Sequence, residues 1–301
     1  MEKKIAVIGT LAGSLLLVGC GGGGSSSVKP TVSLDTWSGS IAPNTIVTAS
    51  GISTDTTYTA PSPTFAITAL GATSTVDNSS SASITYNGSG NIESISLTND
   101  NGTVSWGSGD TFAGSGGVIQ VVSADSSQYG IAIDPVVVGW DYQTFGAWIT
   151  GMGSGSGRVG AISVGNATAG SSIPTTGTAT FTGYAGGFYS DGTGAAYLVT
   201  ANSTLNTDFS TRQAVFSTSG SNTVNLSTAA TAANSGLNLS GTLTYSPATN
   251  SLTTSSLSSS NGMSGTANAQ FYGTTAQEVG GVFSVRGAGT QGYIGSFGAS
   301  R

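Results

Sequence analysis

The sequence contains no histidine and one cysteine, Cys20, in 301 residues. The first absence removes the commonest general base, the Ser–His–Asp and Cys–His arrangements and every histidine zinc site; the second removes cysteine-rich metal sites and internal disulfides. Carboxylate-only chemistry of the glycosidase kind survives on composition, but the acids stand singly beside Gly, Ser, Thr or Asn in turn-like stretches. The expectation is therefore a protein that is not an enzyme, with no cofactor and no metal site. Charged residues are also scarce, at 7% of the chain. The seven Lys and Arg, set against thirteen Asp and Glu, give no basic patch for phosphates, so nucleic acid is excluded as a partner. What the chain has instead is glycine, at 47 positions, with abundant Ser and Thr, the composition of turns and solvated strand faces.

The one sustained apolar run lies at the start. Lys3 and Lys4 precede Ile5–Val18, and small residues follow, which is the anatomy of a secretory signal (1–19). The run is short for a spanning helix. It ends in Leu17-Val18-Gly19-Cys20, which resembles a bacterial lipobox and implies cleavage before Cys20 and acylation of that residue. Gly21 follows, where an aspartate would resemble an inner-membrane retention signal, so the expectation is the outer membrane, lipid-anchored and exposed at the cell surface. Loss of the leader takes away Lys3, Lys4 and Glu2 and leaves five bases against twelve acids. Residues 20–31 have the Gly/Ser composition of a tether that holds a folded body off the lipid.

Nowhere beyond the tether is there a sustained helical period. From 32 to 136 short alternating segments are punctuated by turn residues: Thr45–Ala49, Pro63–Ala69, Ser83–Tyr86, Ile92–Leu97, Val104–Trp106 and Val118–Val122, then the apolar run Ile131–Val138. Tyr86–Ile92 reads as a hairpin turn. A small β domain is expected here.

From 137 the strands lengthen and the alternation is cleaner. Trp140, Tyr142, Phe145 and Trp148 lie within nine residues, and Trp140, Tyr142 and Trp148 share parity. They read either as core packing or as a partly exposed aromatic contact patch, the candidate ligand-binding residues. Further on, Tyr197, Val199, Ala201 and Leu205 alternate with polar partners, as do Leu239, Leu243 and Tyr245. At the end, Val279, Gly281, Phe283 and Val285 fall on one face, and Tyr293, Gly295 and Phe297 on another. Glycines between bulky residues fit strands curling about a narrow interior. Counting from Tyr142 gives about eight strands, apolar on one side, which a closed antiparallel barrel satisfies without open edges. Two GxGxxG matches, Gly155–Gly160 and Gly287–Gly292, open no helix and carry no dinucleotide reading.

The terminal run Phe271-Tyr272-Gly273, Ala276-Gln277-Glu278-Val279-Gly280-Gly281-Val282-Phe283 and Gly295-Ser296-Phe297-Gly298-Ala299 resembles the closing signature of transferrin-binding protein B-like surface lipoproteins, of the single-lobe, solute-binding type. Tyr142–Trp148 is similar to the opening strand of that barrel, and Thr176–Gly183 looks like its next strand. The resemblance implies an all-β chain: a small N-terminal β handle domain (32–136) followed by a C-terminal eight-stranded antiparallel β-barrel (137–301). It implies a lipoprotein that binds a host or environmental protein, haem or a metal source. Export by a surface lipoprotein assembly modulator and delivery to a TonB-dependent receptor are implied with it. A structural or adhesive surface role, with no part in nutrient capture, is the alternative.

Overall fold

The computed structural model describes residues 28–40, 42–61, 65–246 and 249–301; the leader and Cys20 lie outside the described residues. The chain folds into two antiparallel β-sheets, one curled and one closed. The first contains β1 (Thr31–Ser33), β2 (Ile46–Ala60), β3 (Ala69–Leu70), β4 (Asp77–Tyr86), β5 (Ile92–Asn99), β6 (Gly102–Trp106), β7 (Thr111–Ser115), β8 (Val118–Val122), β9 (Gln128–Ile133), β10 (Gln143–Thr150) and β11 (Gly155–Gly165). Its order is β6-β5-β4-β2-β11-β10-β9-β8-β7, with β1, the one parallel strand, and β3 both on β2.

The second sheet contains β12 (Thr178–Asp191), β13 (Ala196–Asp208), β14 (Gln213–Asn225), β15 (Thr231–Ala233), β16 (Leu239–Ser246), β17 (Ser251–Ser259), β18 (Ser264–Tyr272), β19 (Glu278–Arg286) and β20 (Gln291–Ser300). β12 pairs with both β13 and β20, and β13 with β14, so every strand but β15 joins one closed eight-stranded barrel. The all-β expectation and the strand count both hold.

The membership of the barrel differs from the sequence reading. Gln143–Thr150, expected as its opening strand, pairs with β9 and β11 in the first sheet. Its place is taken by strands that the alternation had not singled out: β14, whose exposed positions include Gln213, Val215, Ser219 and Asn222, and β17, whose exposed face is Ser- and Thr-rich. A local pattern states that a segment is a strand; its neighbours are chosen by hydrogen bonds to residues far along the chain.

Smaller departures have local causes. The apolar run Ile131–Val138 splits into the end of β9 and a short helix, α1 (Pro135–Val138). Asp134 Oδ1 accepts from the backbone N–H of Val136 and Val137, Pro135 starts the helix, and Gly139 ends it at φ 77°. The expected strand Pro63–Ala69 is absent among the described residues except at Ala69, where β3 begins. Tyr86–Ile92 turns as expected, with Gly90 at φ 77° and its N–H donated to Asn87 O.

The barrel interior is filled. Phe181, Phe216, Phe271, Phe283 and Phe297 are all fully buried in it, with Phe216 and Phe297 at a ring separation of 4.3 Å. A second apolar layer lies between the sheets: Phe188, Leu198, Val282 and Ile294 on the outside of the barrel meet Ile131, Ala147, Ile149 and Val159 of the first sheet. β19 and β20 are consequently buried on both faces, whereas β16 and β17 alternate between buried and solvated positions.

Candidate ligand-binding cavity

The first sheet has one face committed to the barrel, so its other face decides what the sheet can do. Alternation supplies that face with side chains. Ala82, Ile84 and Tyr86 of β4 share it with Ile95 and Leu97 of β5, and Ile162 and Val164 of β11 continue it. The sheet curls until these residues look across at Phe112, Ile119 and Val121 of β7 and β8, but β6 and β7, its two edges, do not pair. Trp106 reaches over Gly130, where a Cβ would lie 2.9 Å from the indole; only glycine allows that approach. The space between the facing side chains is a half-open cavity of about 380 Å³ with a mostly apolar wall. It lies within the size range of small-molecule sites, roughly 300–1,000 Å³.

Polar groups gather where the wall meets α1. Asp134 borders the cavity, its carboxylate already capping the helix. Tyr86 stands nearby; burial, and secondarily the negative charge of Asp134, push its phenol well above the ordinary range. Thr144 donates its hydroxyl to Ile133 O at 2.6 Å and is thereby silenced. Among the described residues no Lys or Arg lines the cavity. Val136 and Val137 of α1 also border it, and they are 53% and 64% exposed, among the few large apolar side chains that the fold leaves in water.

The aromatic residues singled out in the sequence do not form this site. Trp148 is buried in the core of the curled sheet, over Gly160. Trp140 is buried apart from it, with Phe145 and with Tyr184 of the barrel. Tyr142 is half-buried and packs beside Gly273. Shared parity does not bring the three together: Trp140 and Tyr142 precede β10, and only Trp148 lies in it. Trp140 and Tyr142 do stand at the junction between the sheets. The cavity residues had a weaker signal, the ordinary alternation of β4, β5 and β8, which cannot report that a wall is left unfilled.

The junction itself is polar and closely packed. Glu278, at the start of β19, accepts the N–H groups of Asp141 and Tyr142 at 2.7 and 3.0 Å. Arg286, at the end of the same strand, donates to Thr56 Oγ1 and Gly71 O of the first sheet, both at 2.9 Å, and burial lowers its pKa. Gln143 is fully buried, and its side-chain amide has no hydrogen-bond partner. The glycines of the terminal signature divide accordingly. Gly295 faces inward, where a Cβ would lie 2.6 Å from Phe283 Cζ, as the narrow interior requires. Gly280 and Gly298 face outward, where a Cβ would lie 2.7 and 2.3 Å from the Gln143 amide. Two glycines of the signature thus serve the contact between sheets. Among the described residues no three His, Cys, Asp or Glu gather to hold a metal ion.

Residues 173–301 match the family described as the C-lobe and N-lobe beta barrels of Tf-binding protein B. No curated protein matches the chain. Among solved structures it resembles a point mutant of transferrin binding protein B from Haemophilus parasuis Hp5, at 13% identity and TM-score 0.43, with 75% of this chain and 54% of that one covered. The isotype 1 transferrin binding protein B of serogroup B Neisseria meningitidis gives 15% identity and TM-score 0.38, with coverages of 75% and 53%. A surface lipoprotein gives 13% identity and TM-score 0.41, with coverages of 83% and 98%. The chain spans about half the length of the two transferrin-binding protein B structures.

Proposed function

We propose, for a chain whose barrel is of the Tf-binding protein B type, a lipid-anchored outer-membrane protein that faces the cell exterior, binds a ligand and performs no chemistry on it. The observation that carries this reading is the cavity of about 380 Å³ in the curled sheet, an apolar space beside a barrel that is itself solid. Cys20 supplies the anchor and residues 20–31 the tether. The two sheets act as handle and barrel, with β10 and β11 working as part of the handle sheet in which they pair. The ligand is a host or environmental protein, haem or a metal source, passed on to a TonB-dependent receptor, and a surface lipoprotein assembly modulator performs the export. Trp140, Tyr142 and Trp148 support this role by fixing the junction and the core of the handle.

The proposal is tested on cells. Labelled palmitate should enter the wild-type protein and not Cys20→Ala, and protease added to intact cells should remove the wild-type protein. Purified protein should then bind at least one of haem, transition metals or serum proteins saturably. Palmitate-free, protease-resistant protein overturns the localisation. Failure to bind any of these probes, together with lost attachment of a deletion strain, favours the structural or adhesive alternative, which the Ser- and Thr-rich outer face of β17 would serve.

A further inference from the structure

The cavity and the start of the described chain lie at the same place. Lys29 pairs with Glu93 and donates to Tyr86 O at 3.2 Å. Tyr86 and Ile92, on either side of that hairpin turn, line the cavity. Seven residues, and so eight Cα-to-Cα steps, separate Cys20 from Val28, and at roughly 3.3–3.6 Å per step they can reach no further than about 29 Å. An acylated Cys20, and the lipid surface holding it, are thereby confined close to the cavity mouth.

The lining says which molecules can use that proximity. Among the described residues a charged head inside the cavity would find no Lys or Arg, and Asp134 would repel an anion. A hydrocarbon chain needs no partner there, and its polar head can stay in water at the rim beside Val136 and Val137. The apolar groups held at the highest effective concentration near this mouth are acyl chains.

We propose that the cavity of the curled sheet is an acyl-chain site: it takes up one hydrocarbon chain through the rim formed by α1 and the Tyr86–Ile92 hairpin. The chain comes from the lipid on Cys20 or from a free lipid of the membrane. The proposal rests on the lipid-anchored reading for the source of the chain but not for the chemistry of the cavity.

The test uses full-length protein with and without Cys20, and the methyl ester of cis-parinaric acid as the probe. Excitation of tryptophan should produce saturable one-to-one polyene emission from Cys20→Ala protein, since Trp106 lines the cavity. Ala132→Phe, in the half-buried cavity wall, should weaken binding about tenfold, the loss of seats for roughly two methylenes at about 0.8 kcal/mol each. Val137→Asp, at a position 64% exposed and so harmless to folding, should weaken it in the same direction. Absence of saturable emission, or binding indifferent to both variants, overturns the proposal and leaves the lipid-anchored reading standing. Wild-type protein that binds the probe less well than Cys20→Ala identifies its own lipid as the occupant; equal binding identifies a free lipid. Intact mass without acyl groups on the wild-type protein would sink the lipid-anchored reading while the cavity result stands.

Discussion

The carboxylate of Glu278 holds the backbone N–H groups of Asp141 and Tyr142, at 2.7 and 3.0 Å, and so ties the start of a barrel strand to the segment that leads into the curled sheet. Glu278→Ala should leave both donors without this acceptor at a cost of about 1–3 kcal/mol, and Glu278→Gln, which keeps one acceptor oxygen, should cost less. Urea denaturation followed by tryptophan fluorescence measures the difference; equal stability of all three proteins would show that the clamp is idle.

The same residue gives a pH dependence. Burial, and to a lesser extent the charge of Asp141, raises the Glu278 pKa above its ordinary 4.5, and hydrogen bonds from the backbone of Asp141, Tyr142 and Gln143 offset only part of that. The folded state then holds the proton more tightly than the unfolded state. Its contribution to stability is full below the ordinary pKa and falls as pH rises through the folded value. The Glu278→Gln protein should lack this fall, so the stability gap between the two proteins should change across the acid side of neutrality. Parallel curves would refute the assignment.

Gly298 and Gln143 form a testable pair. A Cβ at residue 298 would lie 2.3 Å from Gln143 Nε2, and the Gln143 amide has no partner to hold it in place. Gly298→Ala should destabilise by about 1–3 kcal/mol, and adding Gln143→Ala should return part of the loss. A double mutant no better than the sum of the single changes would mean that the clash lies elsewhere.

Asp55 and Arg158 form the buried ion pair of the curled sheet; Arg158 Nε donates to Asp55 Oδ2 at 3.0 Å, and Asn101 Nδ2 donates to Asp55 Oδ1 at 2.9 Å. Asp55→Ala should cost about 3–5 kcal/mol because the guanidinium, left with Asn101 O and Asn99 Oδ1, loses its counter-charge and Asn101 Nδ2 its acceptor, while Asp55→Leu with Arg158→Met should recover much of it. Thermal denaturation of the two variants decides; the order reversed would refute the reading.

Phe283 lies inside the barrel at 1% exposure, and Val215 outside it at 50%. Phe283→Asp should give no folded barrel, since an unpaired carboxylate cannot be solvated there. Val215→Asp should change stability by less than about 0.5 kcal/mol. Near-ultraviolet circular dichroism distinguishes the outcomes, and a native spectrum from Phe283→Asp would contradict the filled interior.

Much of the barrel was legible because one face of each strand meets only its interior. On β19 and β20 the alternation separated Phe283 and Phe297 from Ser284 and Ser296 without any tertiary knowledge. The cavity was not legible. Ile84, Ile95 and Val121 alternate as they would over a filled core, and an empty volume leaves no mark on the residues around it. Nor did the shared parity of Trp140 and Trp148 reveal that one packs against the barrel and the other inside the curled sheet.

Composition and spacing by themselves determined the all-β class, the inward faces of the closing strands, and the absence of histidine-dependent chemistry. Those follow from side-chain period and residue type, which are local. Tertiary structure alone decided that β10 leaves the barrel for the curled sheet, that Gly280 and Gly298 serve the contact between sheets, and that β6 and β7 stay apart over an apolar space. Each depends on which distant strand lies alongside, a choice made by hydrogen-bond pairing and by burial summed over the whole molecule.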